Sequence, residues 1–205
     1  MSADIITIHP ENPQHRLIKK VANALDQGAV IAYPTDSSYA LGCHLGDKNA
    51  LDRIRRIRRV DEKHHYTLVG RDIGQVTDYV KVNNQQFRVL KAYTPGPFTF
   101  IFPAKRKVPR RSLHYKRLTI GVRIPDNQIV QDMLRVLHEP ILSSTLSLPG
   151  QDLPLGDADD VIESLHKHVD LIVDGGHCGI EPTTVIDWHL DVPEVVRQGK
   201  GLVSF

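Results

Sequence analysis

The chain has little cysteine and few aromatic residues: its 205 residues include two cysteines and one tryptophan, and the aromatic fraction is 6%. Cys43 and Cys178 cannot build a disulfide framework, and neither belongs to a Cys-x-x-Cys pair, so small buried thiols are expected rather than a redox centre. Histidine is plentiful, but its spacing is wrong for a metal. His64 and His65 are adjacent, and His166 and His168 are two apart, whereas two ligands on one helical face need three or four. No metal site is expected. The chain also lacks a G-x-x-x-x-G-K-[ST] loop, a G-x-G-x-x-G turn and a nucleophile elbow with an assignable His/Asp partner. No uncharged run could span a bilayer, and Met1 to Pro10 has no signal-peptide apolar stretch, so a soluble, cytoplasmic protein without a membrane partner is expected. No repeat, linker or low-complexity tract divides residues 1–205. With a hydrophobic fraction of 40%, they read as a single domain.

What is present is gathered positive charge. "RIRRIRR" (Arg53 to Arg59) and "KRKVPRRSLHYKR" (Lys105 to Arg117) hold twelve of the twenty-six Lys and Arg and no acid. The remainder carries fourteen basic residues against twenty-four acidic ones, so the formal +2 conceals a strongly divided surface. Nucleotides and nucleic acids are the natural partners of such local fields.

The hydrophobic pattern alternates between the two periods. Leu17, Ile18, Val21 and Leu25 form a helical stripe that Gly28 ends, and "AVIAYP" reads as a following strand closed by Pro34. Leu51, Ile54 and Ile57 form a second stripe through the first basic run, which turns Arg55, Arg56 and Arg59 away from the core. Helices are expected over Asn84 to Tyr93, Asn127 to Leu137 and Asp157 to His168. Strands are expected at "YTLV", "FTFIFP", "LTIGVRIP", "PILSS", "DLIVDGG", "TTVID" and "PEVVRQG". The last two are too close for a parallel crossover, so they should form a hairpin or lie apart. The fold class is therefore α/β: a twisted, open, mixed sheet with flanking helices.

Hydroxyls and cations recur at the ends of these strands. "YPTDSSYALG" holds Thr35, Ser37, Ser38 and Tyr39 around Asp36, as either a plain turn or a polar lip for a small ligand. "LSSTLSLPG" and "DGGHCGIEPTTVID" add further hydroxyls and glycines able to meet a phosphate. Arg123 stands in the apolar run "TIGVRIP"; either it turns to solvent, or it is buried with a carboxylate or phosphate in its fork. No covalent intermediate is required of such groups, which hold anions and position them.

In order, "AVIAYPTDSSYALGC", "IRRIRRVDEKHHYTLV", "TPGPFTFIF", "TIGVRIPDN", "PILSSTLSLPG", "DGGHCGIEPTTVID" and "VVRQGKG" resemble the YrdC/Sua5 family, especially its YciO branch. The resemblance spans about Ile6 to Gly201. It implies a YrdC/RibB-like fold with a large basic cavity. It also implies synthesis of threonylcarbamoyl-adenylate from L-threonine, bicarbonate and ATP with its Mg2+, for the t6A modification of tRNA, and no tightly bound cofactor. Thr35 and Ser37 fall in the family's P-T-[DE]-T lip on the threonine side, with Thr183 and Thr184 on its S-T-V element. Arg58 matches the Lys of K-x-R on the triphosphate, and Thr119 and Arg123 match T-x-x-x-R, where the Arg pairs with the threonine carboxylate. Arg58 and Arg123 are thus the implied catalytic residues. Thr145 and Ser147 occupy S-x-N, and Arg197 is the late Arg on the nucleotide.

Three positions depart from the family: Val60 replaces the second cation of K-x-R, Ser147 the Asn of S-x-N, and Gly70 a His that helps hold threonine. Arg55, Arg56 or Arg59 are the available substitutes for the cation lost at Val60. The alternative function is a non-catalytic paralogue that binds double-stranded RNA or tRNA. Arg55, Arg59, Lys105, Arg106, Lys107, Arg110 and Arg111 are its candidate contacts, and a solvated loop is the other reading of the second run. A relative acting on a different carbamoyl or sugar-phosphate substrate is a third reading.

Overall fold

The computed structural model describes residues 2–61 and 64–204, so Glu62 and Lys63 of the "VDEKHHYTLV" block lie outside the described residues. The strands are β1 (Asp4–Thr7), β2 (Ile31–Tyr33), β3 (Ala40–His44), β4 (Thr67–Val69), β5 (Phe98–Pro103), β6 (Thr119–Arg123), β7 (Ile141–Thr145), β8 (Leu171–Asp174), β9 (Thr184–Asp187) and β10 (Glu194–Arg197). All belong to one sheet in the order β1-β8-β2-β3-β7-β4-β6-β5-β9-β10. Parallel neighbours (β1/β8, β2/β8, β4/β6, β5/β9) mix with antiparallel ones. β9 and β10 form a hairpin, one of the two arrangements left open by their spacing.

The helices are α1 (His15–Asp26), α2 (Lys48–Arg58), α3 (Ile73–Thr77), α4 (Asn84–Tyr93), α5 (Gln128–Leu137) and α6 (Ala158–Leu165). Their ends follow from local chemistry. The side chains of Asp47, Asn83, Asn127 and Asp157 cap the first turns of α2, α4, α5 and α6, and Asn83 and Gln86 complete a reciprocal capping box. Helix α2 stops at Arg59, which adopts the left-handed conformation (φ 50°, ψ 42°). Arg55, Arg56 and Arg58 lie in its last turn, where the carbonyl end of the helix favours cations.

Helices α1 and α5 bury Ile18, Val21, Leu25, Ile129, Val130, Met133 and Leu134 against Ile31, Tyr33, Ala40, Ile141 and Leu171 on one sheet face. Leu51 and Ile54 of α2 and Val161 and Leu165 of α6 pack on the other, with Leu41, Leu68, Phe100 and Val122. On the α1/α5 face the two helices stop short of β6, β5 and β9, and that uncovered part becomes the floor of a cavity. Cys43 is buried, and burial pushes its thiol up to about 12, as a small core residue would behave. Both cysteines are free. Among the described residues, no helix is long and apolar enough to cross a membrane.

Candidate active site

The cavity floor is built by strand register. Thr67, Gly121, Ile101 and Asp187 form one rung across β4, β6, β5 and β9, and Val69 stands opposite Arg123 on the next. Side chains two apart on a strand share a face, so Thr99 joins Ile101, and Arg123 joins Gly121. A side chain at Gly121 would begin 3.0 Å from the Thr67 hydroxyl and 3.1 Å from the Thr99 methyl, which is why the floor needs glycine there.

The outer chamber has a volume of about 660 Å3 and is walled by three connecting segments. Arg58 ends α2, His64 and His65 come from the α2–β4 connection, Ser147, Asp152 and Pro154 follow β7, and Pro182 and Thr183 precede β9. Val196 and Arg197 on β10 and Arg117 close it. A narrow inner chamber of about 20 Å3 continues to Arg123 and also touches Ser38, Ala40, Val69 and Ser143. Thr67, Thr99, Ser144, Thr145 and Thr183 line both chambers and form the waist between them.

Arg123 resolves the choice left open by the sequence: it is buried, with 8% exposure, and its partner is internal. One Nη donates to the Thr35 hydroxyl (3.1 Å), the Ser37 hydroxyl (2.9 Å) and the Asp36 carboxylate. Asp36 also accepts from the Asp126 N–H (3.1 Å), and its carbonyl accepts from Lys200 Nζ (2.6 Å). The Nε of Arg123 is buried without a partner among the described residues. Thr35 and Ser37 are thus the mount for Arg123 rather than lining groups.

At the outer end, Arg58 donates to the Ser147 carbonyl, and its Nε is also buried without a partner among the described residues. Arg197 grips the Thr183 carbonyl (3.1 and 2.9 Å) and hydroxyl (3.2 Å), and that hydroxyl meets Thr99 Oγ1 at 2.9 Å. Burial pulls both guanidinium pKa values down, helped at Arg197 by Arg123. Each cation is therefore under-compensated, as an anion-binding group should be. Arg117 pairs with buried Asp187 (3.0 Å), which His189 also contacts (2.6 Å).

The two adjacent histidines, set aside for metal spacing, both line the outer chamber. His64 Nε2 lies 3.0 Å from the Ser144 hydroxyl, and burial, followed by the Arg58 charge, pushes its pKa down to about 4. His65 stacks on His114 at 4.5 Å and is lowered chiefly by burial. With both neutral near pH 7, three arginines face two aspartates among the described residues of the outer lining, a surplus of one positive charge. The resemblance implies a large basic cavity; the described lining of this one is positive by a single charge.

The other sequence candidates fall as follows. Thr145, Ser147, Thr183 and Arg197 line the cavity. Thr184 does not: on the alternating strand it faces away, and its hydroxyl bonds Gly201, Gly199 and Gln198 of the C-terminal segment. Thr119 is buried at the start of β6, with its hydroxyl unpartnered, and is not among the lining residues. A His at Gly70, which the resemblance implies, would put its Cβ 2.3 Å from Val76 Cγ1 of α3, so that valine would have to move. Arg59 points into a separate groove and so does not replace the cation lost at Val60, while Arg55 bonds Asp52 (3.3 Å) and the Arg111 carbonyl (3.0 Å).

In the second basic run, Lys105 bonds the Thr77 carbonyl (2.7 Å), Lys107 lies over the Tyr79 ring (4.3 Å) and Arg111 holds the Gly46 carbonyl. Arg106 and Arg110 are exposed. Thr67, Thr99, Arg117, Asp187 and the histidines were not picked out from the sequence. Thr67 and Thr99 had a signal in retrospect, as single hydroxyls in otherwise apolar strands. Among the described residues, no group of three or more His, Cys, Asp or Glu could hold a metal ion.

Comparison with known proteins gives the arrangement its context. The Sua5/YciO/YrdC family model, described as "Telomere recombination", matches residues 23–199. The chain is 50% identical over 197 residues to the uncharacterized protein YciO of Escherichia coli (strain K12), covering 96% of each. The crystal structure of E. coli YciO superposes with a TM-score of 0.94, at 48% identity and 97% coverage of each chain. A threonylcarbamoyl-AMP synthase of Serratia proteamaculans (strain 568) is 28% identical over 182 residues, 87% of this chain and 94% of that one. P. abyssi Sua5 complexed with L-threonine superposes with a TM-score of 0.86 at 26% identity, over 95% of this chain and 57% of that one. From the ordered motifs, the sheet and these matches together, the chain belongs to the Sua5/YciO/YrdC family.

Proposed function

We propose that this protein binds ATP in the outer chamber and L-threonine across the waist, and joins them with bicarbonate into threonylcarbamoyl-AMP, the donor for tRNA modification, releasing pyrophosphate and water. The observation that carries this reading is a cavity with a cation at each end: Arg123 at the closed inner end, Arg58 and Arg197 at the outer. The inner chamber has room for little more than a carboxylate, so an amino acid seated on Arg123 extends its amine into the waist. There Thr99, Ser144, Thr145 and Thr183 offer hydroxyls. The amine attacks the bicarbonate carbon, a C–O bond breaks and water leaves, and the resulting carbamate faces the α-phosphate of a nucleotide held by Arg58 and Arg197. Its oxygen attacks phosphorus, and pyrophosphate leaves toward the open chamber. The protein's contribution is alignment and charge neutralisation, with no covalent intermediate. The surplus of one positive charge leaves most of the triphosphate's charge to the Mg2+ that accompanies ATP.

The same small surplus, with Val60 and Gly70, favours a second reading: an RNA-binding relative whose cavity holds ligands without joining them. Purified protein incubated with ATP, bicarbonate and L-threonine separates the two. Synthase activity gives threonine-dependent pyrophosphate together with the adenylate; binding of ATP and threonine without pyrophosphate selects the second reading.

A further inference from the structure

Carbamate formation leaves a proton over. A threonine ammonium and a bicarbonate combine to a carbamate, water and H+, so the ammonium must give a proton to a base before its nitrogen can attack. Five hydroxyls line the waist where that nitrogen would lie, those of Thr67, Thr99, Ser144, Thr145 and Thr183. Thr99 and Thr183 bond each other, and Arg197 donates to Thr183, so that pair ends on a permanent cation and cannot take up a proton. Ser144 differs. Its side chain is buried, with 3% exposure, and its hydroxyl lies 3.0 Å from His64 Nε2. Among the described residues it is the waist hydroxyl that meets a titratable base.

The remaining bases of the outer chamber are placed less well. Asp187 is held by Arg117 and His189, and Asp152 lies exposed on the segment after β7. His65 stacks on His114, and its Nε2 has no partner among the described residues.

We infer that Ser144 and His64 form a proton relay that takes the ammonium proton of the amino acid, and that it operates only once a nucleotide occupies the outer chamber; this role rests on the function proposed above. The ammonium proton passes to Ser144 Oγ as the Ser144 hydroxyl proton passes to His64 Nε2, so His64 must carry its resting proton on Nδ1. The freed lone pair attacks the bicarbonate carbon, and a second amine proton leaves with the departing hydroxyl as water. The imidazolium then releases H+ to the open chamber.

The dependence on nucleotide follows from what surrounds His64. Burial opposes its protonation most, Arg58 next, then His65 and Arg55, while Asp61 favours it; the Tyr66 ring meets it edge-on at 5.0 Å. Their sum holds the pKa near 4, too low to draw a proton from an ammonium in the empty cavity. A triphosphate on Arg58 brings anionic oxygens beside the imidazole, offsets the charge that depressed it and raises its proton affinity. The amine thus stays protonated and unreactive until the α-phosphate that captures the carbamate is in place.

His64→Gln is the informative variant, because an amide can still bond Ser144 but cannot carry a proton; it is first checked for an unchanged melting temperature near neutral pH. Long-range proton–nitrogen NMR of isotope-labelled protein reads the tautomer, with His64 assigned by its absence in that variant. The relay predicts Nδ1–H in the empty protein and a titration midpoint that rises by at least about one unit with magnesium tripolyphosphate. An Nε2–H tautomer, or a midpoint that does not move, would overturn it. In pyrophosphate release, His64→Gln and Ser144→Ala should each lower kcat about 100-fold, with KM for ATP and L-threonine within about twofold of wild type. The loss in His64→Gln should shrink as pH rises toward the pKa of the threonine amine, which then sheds its proton unaided. Undiminished turnover in both variants would sink the relay and leave the synthase reading standing. No threonine-dependent product from the wild-type protein would sink both.

Discussion

Asp36 is the carboxylate that makes the burial of Arg123 tolerable, and the Arg123 Nε, without a partner among the described residues, is the donor that the proposed threonine site uses. Removing one partner of a buried ion pair strands the other charge. Arg123→Ala should therefore destabilise the protein by about 3–5 kcal/mol in denaturant unfolding. Arg123→Lys keeps a cation beside Asp36 and should retain most of that stability, yet lose the fork and with it at least about tenfold in threonine affinity by calorimetry. Equal loss of stability in both variants, with threonine affinity intact, would show that Arg123 only holds the β2–β3 connection together. The sequence marked this Arg as anomalous because a cation stood in an apolar strand. It could not name Asp36 as the partner, since the two are 87 residues apart and meet only once β6 and the β2–β3 connection converge.

His64 gives a residue-scale prediction with a defined sign. Its folded pKa of about 4 lies below the ordinary 6.5, so the unfolded chain binds the proton first as pH falls. Its contribution is constant above about pH 6.5, and stability is lost as pH falls from there toward 4, below which the loss levels off. His64→Gln should flatten that part of the stability–pH curve while leaving stability at pH 7.5 nearly unchanged. A curve that keeps its slope would place the acid sensitivity on another group.

At the scale of elements, strongly periodic segments were legible. The stripes of α1, α2, α4 and α5 and the apolar runs of β5, β6, β8 and β9 all lie where the pattern puts them. β1 was missed because it is an edge strand whose residues are mostly exposed, and α3 because five residues cannot show a helical stripe. β3, "ALGCH", has no β-branched residue and was read as loop; it is held by pairing to both β2 and β7. Site residues on β4 and β5 were hidden for a related reason. The ligand face crosses the sheet by register instead of sitting only at strand ends, and register is not visible in a single sequence. α3 also packs over Gly70, where the family resemblance implies a His. Gly70→His alone should cost about 1–3 kcal/mol by overpacking against Val76, and a simultaneous Val76→Ala should recover part of that loss. Additive losses in urea unfolding would contradict this account of Gly70.

For the whole molecule, the divided charge of the sequence becomes two back-to-back features on either side of α2's C-terminal end. One is a weakly positive cavity with cations at both ends, and the other an open basic groove. The fold is that of E. coli YciO and of P. abyssi Sua5, while Val60 and Gly70 stand where the family resemblance implies a cation and a His. The central claim is that one cavity seats an amino acid on Arg123 and a nucleotide on Arg58 and Arg197 at the same time. Isothermal titration of L-threonine into the protein with and without MgATP tests it most directly. The account predicts one threonine site, tightened by the nucleotide and, by linkage, an equal tightening of the nucleotide by threonine. Mutually exclusive binding, or no heat from either ligand, would contradict it.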